Sequence, residues 1–124
     1  MKIALSATGP GVEAAVDERF GRCPYFLYVD SDTLEIEASD NPGKTASGGA
    51  GIVAAQAVAD KDVDVVLTGN VGPNAYSVLS KAGIQVMTGV SGKVREAVEA
   101  YKKGELKETT GPTVEEHAGM NPPL

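Results

Sequence analysis

The sequence predicts a single α/β domain: a five-stranded mixed sheet flanked by helices, in the order βββαβαβα. Three observations carry that reading. Short apolar, β-branched runs at residues 2–7, 25–29 and 63–67 read as strands, the last continuous enough for a central parallel strand. Two later segments repeat apolar residues at i, i+3, i+4 and i+7, so strand–helix–strand units fill the second half and demand a parallel sheet core. A chain of 124 residues has room for one domain.

Each element follows from its own signals. The first strand ends at Thr8-Gly9-Pro10-Gly11, a turn sequence. After residues 25–29, Asp30 to Thr33 turn the chain, and Leu34-Glu35-Ile36-Glu37-Ala38 alternates as a half-exposed edge strand does. Residues 39–49 form a Gly/Ser/Pro/Asn-rich loop, followed by an Ala-rich helix over about 49–60. Gly72-Pro73 opens the next helix, with Ala75, Val78, Leu79 and Ala82 on one stripe and Gly83 as its stop. Residues 84–87 are the fifth strand. Ser91 is placed to cap a last helix bearing Val94, Ala97, Val98 and Tyr101, ended by Gly104. The domain is expected to span residues 1–108, with 109–124 a flexible tail.

Composition removes several functions. A net charge of −6 argues against nucleic-acid binding, which needs a basic face. One cysteine excludes an internal disulfide framework, and no signal peptide or run near 20 apolar residues points to a membrane or to export. A cytoplasmic protein is expected. Two nucleotide-like patterns also fail on mechanism. Ala38 to Thr45 fits a permissive phosphate loop through Gly43-Lys44-Thr45, but Ala46-Ser47-Gly48-Gly49 cannot begin a helix there, and the strand ending Leu67-Thr68 lacks the magnesium-binding Asp. In Gly9-Pro10-Gly11, Pro10 has no N–H to offer a phosphate.

A more specific set remains. Asp17 to Phe26 leads into the second strand, Gly48-Gly49-Ala50-Gly51 opens a helix, and Thr68 to Ala75 joins a strand to a helix. The last two place backbone N–H groups and positive helix ends where open α/β sheets bind ligands. Arg19 and Arg22 add charge to the same rim. The residues describe an anion-receptive pocket with no evident catalyst.

The runs ERFGRCPYFLYVD, GGAGIVAAQAVAD, VDVVLTGNVGPNAYSVLSKAGIQV and VSGKVREAVEAYKKGELKE resemble, in order, the dinitrogenase iron–molybdenum cofactor-binding family, the NifX/NafY/NifB C-terminal group. The likeness is nearer to its standalone, orange-protein-type members. It implies a ribonuclease H-like three-layer fold and a non-enzymatic carrier of an anionic molybdenum-containing sulfide cluster, Mo-Cu-S or Mo-Fe-S. Nuclease chemistry is not implied, because it needs gathered carboxylates and the first strand has none. The expected cofactor-binding residues are Gly48, Gly49, Gly69, Asn70 and Gly72 as floor, with Arg19, Arg22 and Cys23 at the rim. Many relatives carry His where this chain has Arg19; a guanidinium pairs with an anion rather than ligating metal. Cys23 and His117 are the candidate metal ligands. Arg22 nearby would lower the Cys23 pKa; the competing reading makes Cys23 a small buried hydrophobe. The competing reading makes His117 a mobile, solvated tail residue, and Met87 fits strand packing better than ligation. The alternative function is a regulatory or scaffold protein binding a MinD/Mrp-type ATPase without a cluster. Either a monomer or a cluster-bridged dimer fits.

Overall fold

A computed structural model describes residues 1–113. Its strands are β1 (Lys2–Ala7), β2 (Tyr25–Asp30), β3 (Ile36–Asp40), β4 (Val65–Leu67) and β5 (Gln85–Met87). The helices are α1 (Ala50–Ala59), α2 (Pro73–Lys81) and α3 (Val94–Lys102), with a short 3-10 turn over Pro42–Thr45. The element order is the expected one. The strands form one sheet in the order β3-β2-β1-β4-β5. The β1–β2 and β2–β3 pairs are antiparallel, and β4 runs parallel to both β1 and β5.

Alternation along the strands splits the core into two layers. Ala4, Phe26, Tyr28, Val66 and Val86 face α1 and α2, through Ala54, Ala55, Val58, Ala75 and Leu79. Ile3, Leu5, Leu27, Val29, Val65 and Leu67 face the other way, onto Val94, Ala97 and Val98 of α3. Three layers result, with the sheet in the middle. Among the described residues no helix is long and apolar enough to cross a membrane.

Three details differ from the sequence reading. The second hairpin strand starts at Ile36 rather than Leu34, because Leu34 adopts φ 64° and its N–H bonds back to Asp30 O, keeping it in the turn. The N-cap of α3 is Lys93, not Ser91: Gly92 at φ 85° turns the chain, and Glu96 accepts from the Lys93 N–H at 3.2 Å. The chain beyond residue 108 also remains tied to the domain as far as Thr113. Glu108 bridges Met87 in antiparallel fashion, Thr109 N–H donates to Val86 O at 2.7 Å, and Thr113 N–H donates to Val71 O at 2.9 Å. This strap covers part of the β5 edge, which would otherwise lie unpaired.

Candidate functional site

Because β1, β4 and β5 are parallel, their C-terminal ends and the starts of all three helices share one edge of the sheet. The three helix starts are not equivalent. That of α3 is closed by the loop after β1: Val94 N–H donates to Ala14 O at 2.9 Å and Arg95 N–H to Val12 O at 3.1 Å. The starts of α1 and α2 have glycine N-caps, Gly49 (φ 65°) and Gly72, and neither has a side-chain cap. First-turn N–H groups have no intrahelical partner and carry the positive end of the helix. These two starts lie side by side. A Cβ added to Gly51 would come within 3.3 Å of the Ala75 Cβ, so glycine there lets the first turns converge.

Loop 17–23 closes the edge by backbone packing. A Cβ on Gly69 would lie 2.6 Å from Glu18 Cα, and one on Gly43 would lie 2.5 Å from Ala50 O and 2.8 Å from Gly21 O. Glycine is required at both points of approach. The contact at Gly69 allows Arg19 and Asn70 to pair in parallel, with Asn70 N–H donating to Glu18 O at 2.8 Å. Asn41, 1% exposed, binds the loop to the segment after β3. Its Nδ2 donates to Gly21 O and Cys23 O at 3.0 and 2.9 Å, and its Oδ1 accepts from Gly43 N at 2.8 Å.

The charged and soft residues fall into distinct roles. Arg19 is exposed and pairs with buried Asp17, whose Oδ1 accepts from the Arg19 backbone N–H at 2.8 Å and from Nε at 3.3 Å. The hydrogen bond to Asp17 raises the Arg19 pKa further above its usual range. Arg22 turns toward the 3-10 turn instead: its Nη1 donates to the carbonyls of Gly43, Lys44 and Ala46 at 3.4, 3.3 and 2.9 Å. Cys23 is 0% exposed, with Sγ donating to Phe20 O at 3.4 Å. Burial, then the nearby Asp17 carboxylate, push its thiol up to about 12. The expectation that Arg22 would lower this pKa is therefore corrected; desolvation decides the direction, and the small-buried-hydrophobe reading of Cys23 matches what is seen.

Of the predicted floor, Gly48, Gly49 and Asn70 are exposed and Gly72 is half-buried, whereas Gly69 is buried as a packing glycine. His117 lies outside the described residues. Among those residues, no group of three or more His, Cys, Asp or Glu could hold a metal ion. The Gly43-Lys44-Thr45 run is a 3-10 turn, and Lys44 sits over the Tyr25 ring at 5.5 Å and near Asp40 at 3.6 Å. Sequence reasoning missed Asp17, Gly21, Asn41 and Gly51. Only the Asp17-x-Arg19 spacing offered a local signal.

The iron-molybdenum cofactor signature of dinitrogenase proteins matches residues 1–104. The chain belongs to the dinitrogenase iron-molybdenum cofactor family. Family membership extends over the whole sheet and every loop of the candidate site. An uncharacterized protein of Methanocaldococcus jannaschii is 31% identical over 110 residues, covering 86% of this chain and 90% of its own. The apo form of the orange protein from Desulfovibrio gigas is 43% identical with a TM-score of 0.87, covering 90% of this chain and 95% of that one. A candidate NifB protein from Thermotoga is 32% identical with a TM-score of 0.79, over 90% of this chain and 96% of that one.

Proposed function

We propose that this family member is a non-enzymatic carrier that binds an anionic molybdenum-containing sulfide cluster as cargo, Mo-Cu-S or Mo-Fe-S, mainly through noncovalent contacts. One observation carries the reading: two helix starts with glycine caps and no side-chain cap lie side by side at the sheet edge, next to an exposed arginine. Family membership and the likeness to the orange protein support it.

The available donors fit an anion better than a bare metal ion. The first-turn N–H groups of α1 would donate to cluster sulfides, the adjoining α2 start would add its positive helix end, and Arg19 would supply the counter-charge. Soft ligation is poorly provided for, since the Cys23 thiol is buried and held protonated at neutral pH. Cys23 would ligate only after the loop around it opened. His117 is the remaining candidate ligand. A cluster bringing its own sulfides needs few protein ligands, and weak ligation suits delivery.

The test is the visible spectrum and metal content of protein from its native source, followed by titration of the metal-free protein with tetrathiomolybdate and Cu(I). A coloured protein containing molybdenum is expected, with saturable uptake on titration. Colourless, metal-free native protein that takes up neither reagent would overturn the proposal.

A further inference from the structure

We propose that Asp17 is a positioning residue for this site: its buried carboxylate holds one edge of the Arg19 guanidinium and leaves the opposite edge for the anion. The inference rests on the carrier reading above. A guanidinium has five N–H donors in a planar fork. Asp17 takes the Nε–Nη2 edge, with Nε to Oδ1 at 3.3 Å and Nη2 to Oδ2 at 3.4 Å. Among the described residues, Nη1 has no partner.

The Asp17 backbone is itself anchored on both sides. The Asp17 side chain is 7% exposed, against 65% for Arg19. Asp17 N–H donates to Ser6 O at 2.8 Å, and the Ser6 hydroxyl donates to Asp17 O at 2.8 Å. That hydroxyl also meets the Thr68 hydroxyl at 2.7 Å, both residues fully buried at the ends of adjacent strands. The end of β1 thus fixes Asp17, and Asp17 fixes Arg19. Arg19 is paired through its backbone with Asn70, two residues before the α2 cap.

Charge alone makes the opposite prediction from positioning. A carboxylate beside an anion site repels the anion, so by Coulomb's law Asp17→Asn should tighten binding. Positioning says that the same change loosens binding, because a long exposed arginine must then be ordered by the ligand.

The experiment titrates metal-free wild type, Asp17→Asn, Arg19→Lys and the double variant with tetrathiomolybdate plus Cu(I), read by visible absorbance. Arg19→Lys keeps the charge, loses the fork and leaves the buried residues untouched. Each single variant is expected to weaken binding about tenfold, and the double variant to be within about twofold of Arg19→Lys alone. In the metal-free proteins, nitrogen-15 NMR should show a slowly exchanging Arg19 Nε–H in wild type, lost in Asp17→Asn. Unchanged or tighter binding by Asp17→Asn, or losses that multiply in the double variant, would overturn the role. If Asp17→Asn does not fold, Arg19→Lys binding like wild type overturns it by itself. Wild type that takes up no probe would remove the carrier function, and this role with it; uptake by wild type with Asp17→Asn unaffected would remove the role alone.

Discussion

Gly69→Ala is the sharpest test of how the site is closed. The added Cβ would lie 2.6 Å from Glu18 Cα, 3.0 Å from its carbonyl oxygen and 3.1 Å from its carbonyl carbon. All three are backbone atoms, so no side-chain rotation relieves the clash. Restoring ordinary contact near 3.4 Å moves the two loops apart by about 0.8 Å. That opens the Asn70 N–H to Glu18 O bond of 2.8 Å and the already long Phe20 N–H to Asn70 O bond of 3.4 Å. Overpacking costs about 1–3 kcal/mol and each net hydrogen bond about 1 kcal/mol, so a loss of about 3 kcal/mol is expected. For a domain of this size that lowers the melting temperature by about 10 °C. The control is Gly48→Ala, where a Cβ meets nothing within 4 Å, and stability should stay within about 0.5 kcal/mol of wild type. Thermal unfolding followed by circular dichroism reads both. A Gly69→Ala protein melting within about 2 °C of wild type would refute the close approach.

Three further outcomes follow from the same geometry. Asn41→Ala strands buried carbonyls at Gly21 and Cys23 and the Gly43 N–H, and should cost about 3 kcal/mol in urea unfolding; a cost below about 1 kcal/mol would show that water replaces the amide. Alkaline pH should destabilise the fold. Burial raises the Cys23 thiol from 9.0 to about 12 and the Tyr28 phenol from 10.0 to about 12, so between those limits the unfolded chain gives up protons that the folded chain keeps. Stability is then full below pH 9 and falls towards pH 12, by about 1.4 kcal/mol per pH unit for each group. Cys23→Ala should flatten the first part of that fall, and denaturation midpoints that do not move above pH 9 would contradict it. Deleting residues from Glu105 onward removes the strap on β5 and should cost about 2–4 kcal/mol, which an unchanged midpoint in urea would disprove.

The element order was legible because it is written locally. Apolar runs, a 3.6-residue stripe and glycine stops name strands and helices without reference to the rest of the chain, and the eight main elements follow in the order those signals give. The misplacements have local causes of a different kind. Leu34 continues the alternating pattern but lies at positive φ, which apolar patterning does not encode. Site chemistry was less legible because it depends on distant partners. Arg22 reads as rim charge until the carbonyls of residues 43, 44 and 46 are brought beneath it, and Cys23 reads either as a metal ligand or as a small buried hydrophobe until Asn41 and Phe20 enclose it. The strap was missed because Thr109 is held by bonds to Val86, Thr88 and Tyr76 and Thr113 by bonds to Val71, irregular pairings that leave no periodic trace in a Thr/Gly/Pro-rich sequence.

The carrier reading gains most from a comparison internal to the molecule. Three helices begin at the same sheet edge, and among the described residues their starts are finished differently. The α3 start receives carbonyls from Val12 and Ala14, and Glu96 reaches back to Lys93. The α1 and α2 starts receive glycine caps without side chains. At the Gly72 cap, in extended backbone, a Ser, Thr or Asp would add only a few tenths of a kcal/mol over glycine, but its oxygen would occupy a first-turn N–H; at Gly49 the left-handed φ of 65° itself calls for glycine. Gly51 brings the α1 and α2 starts together, and Gly69 brings Arg19 up beside them. Among the described residues Asp17 is the buried carboxylate nearby, and it is bound to Arg19 and so opposes an incoming anion less than a free charge would. In a chain of net charge −6, an anion site has to be local and made mostly of backbone. Four glycines, two helix starts and one held arginine supply that arrangement without a metal-ligating side chain.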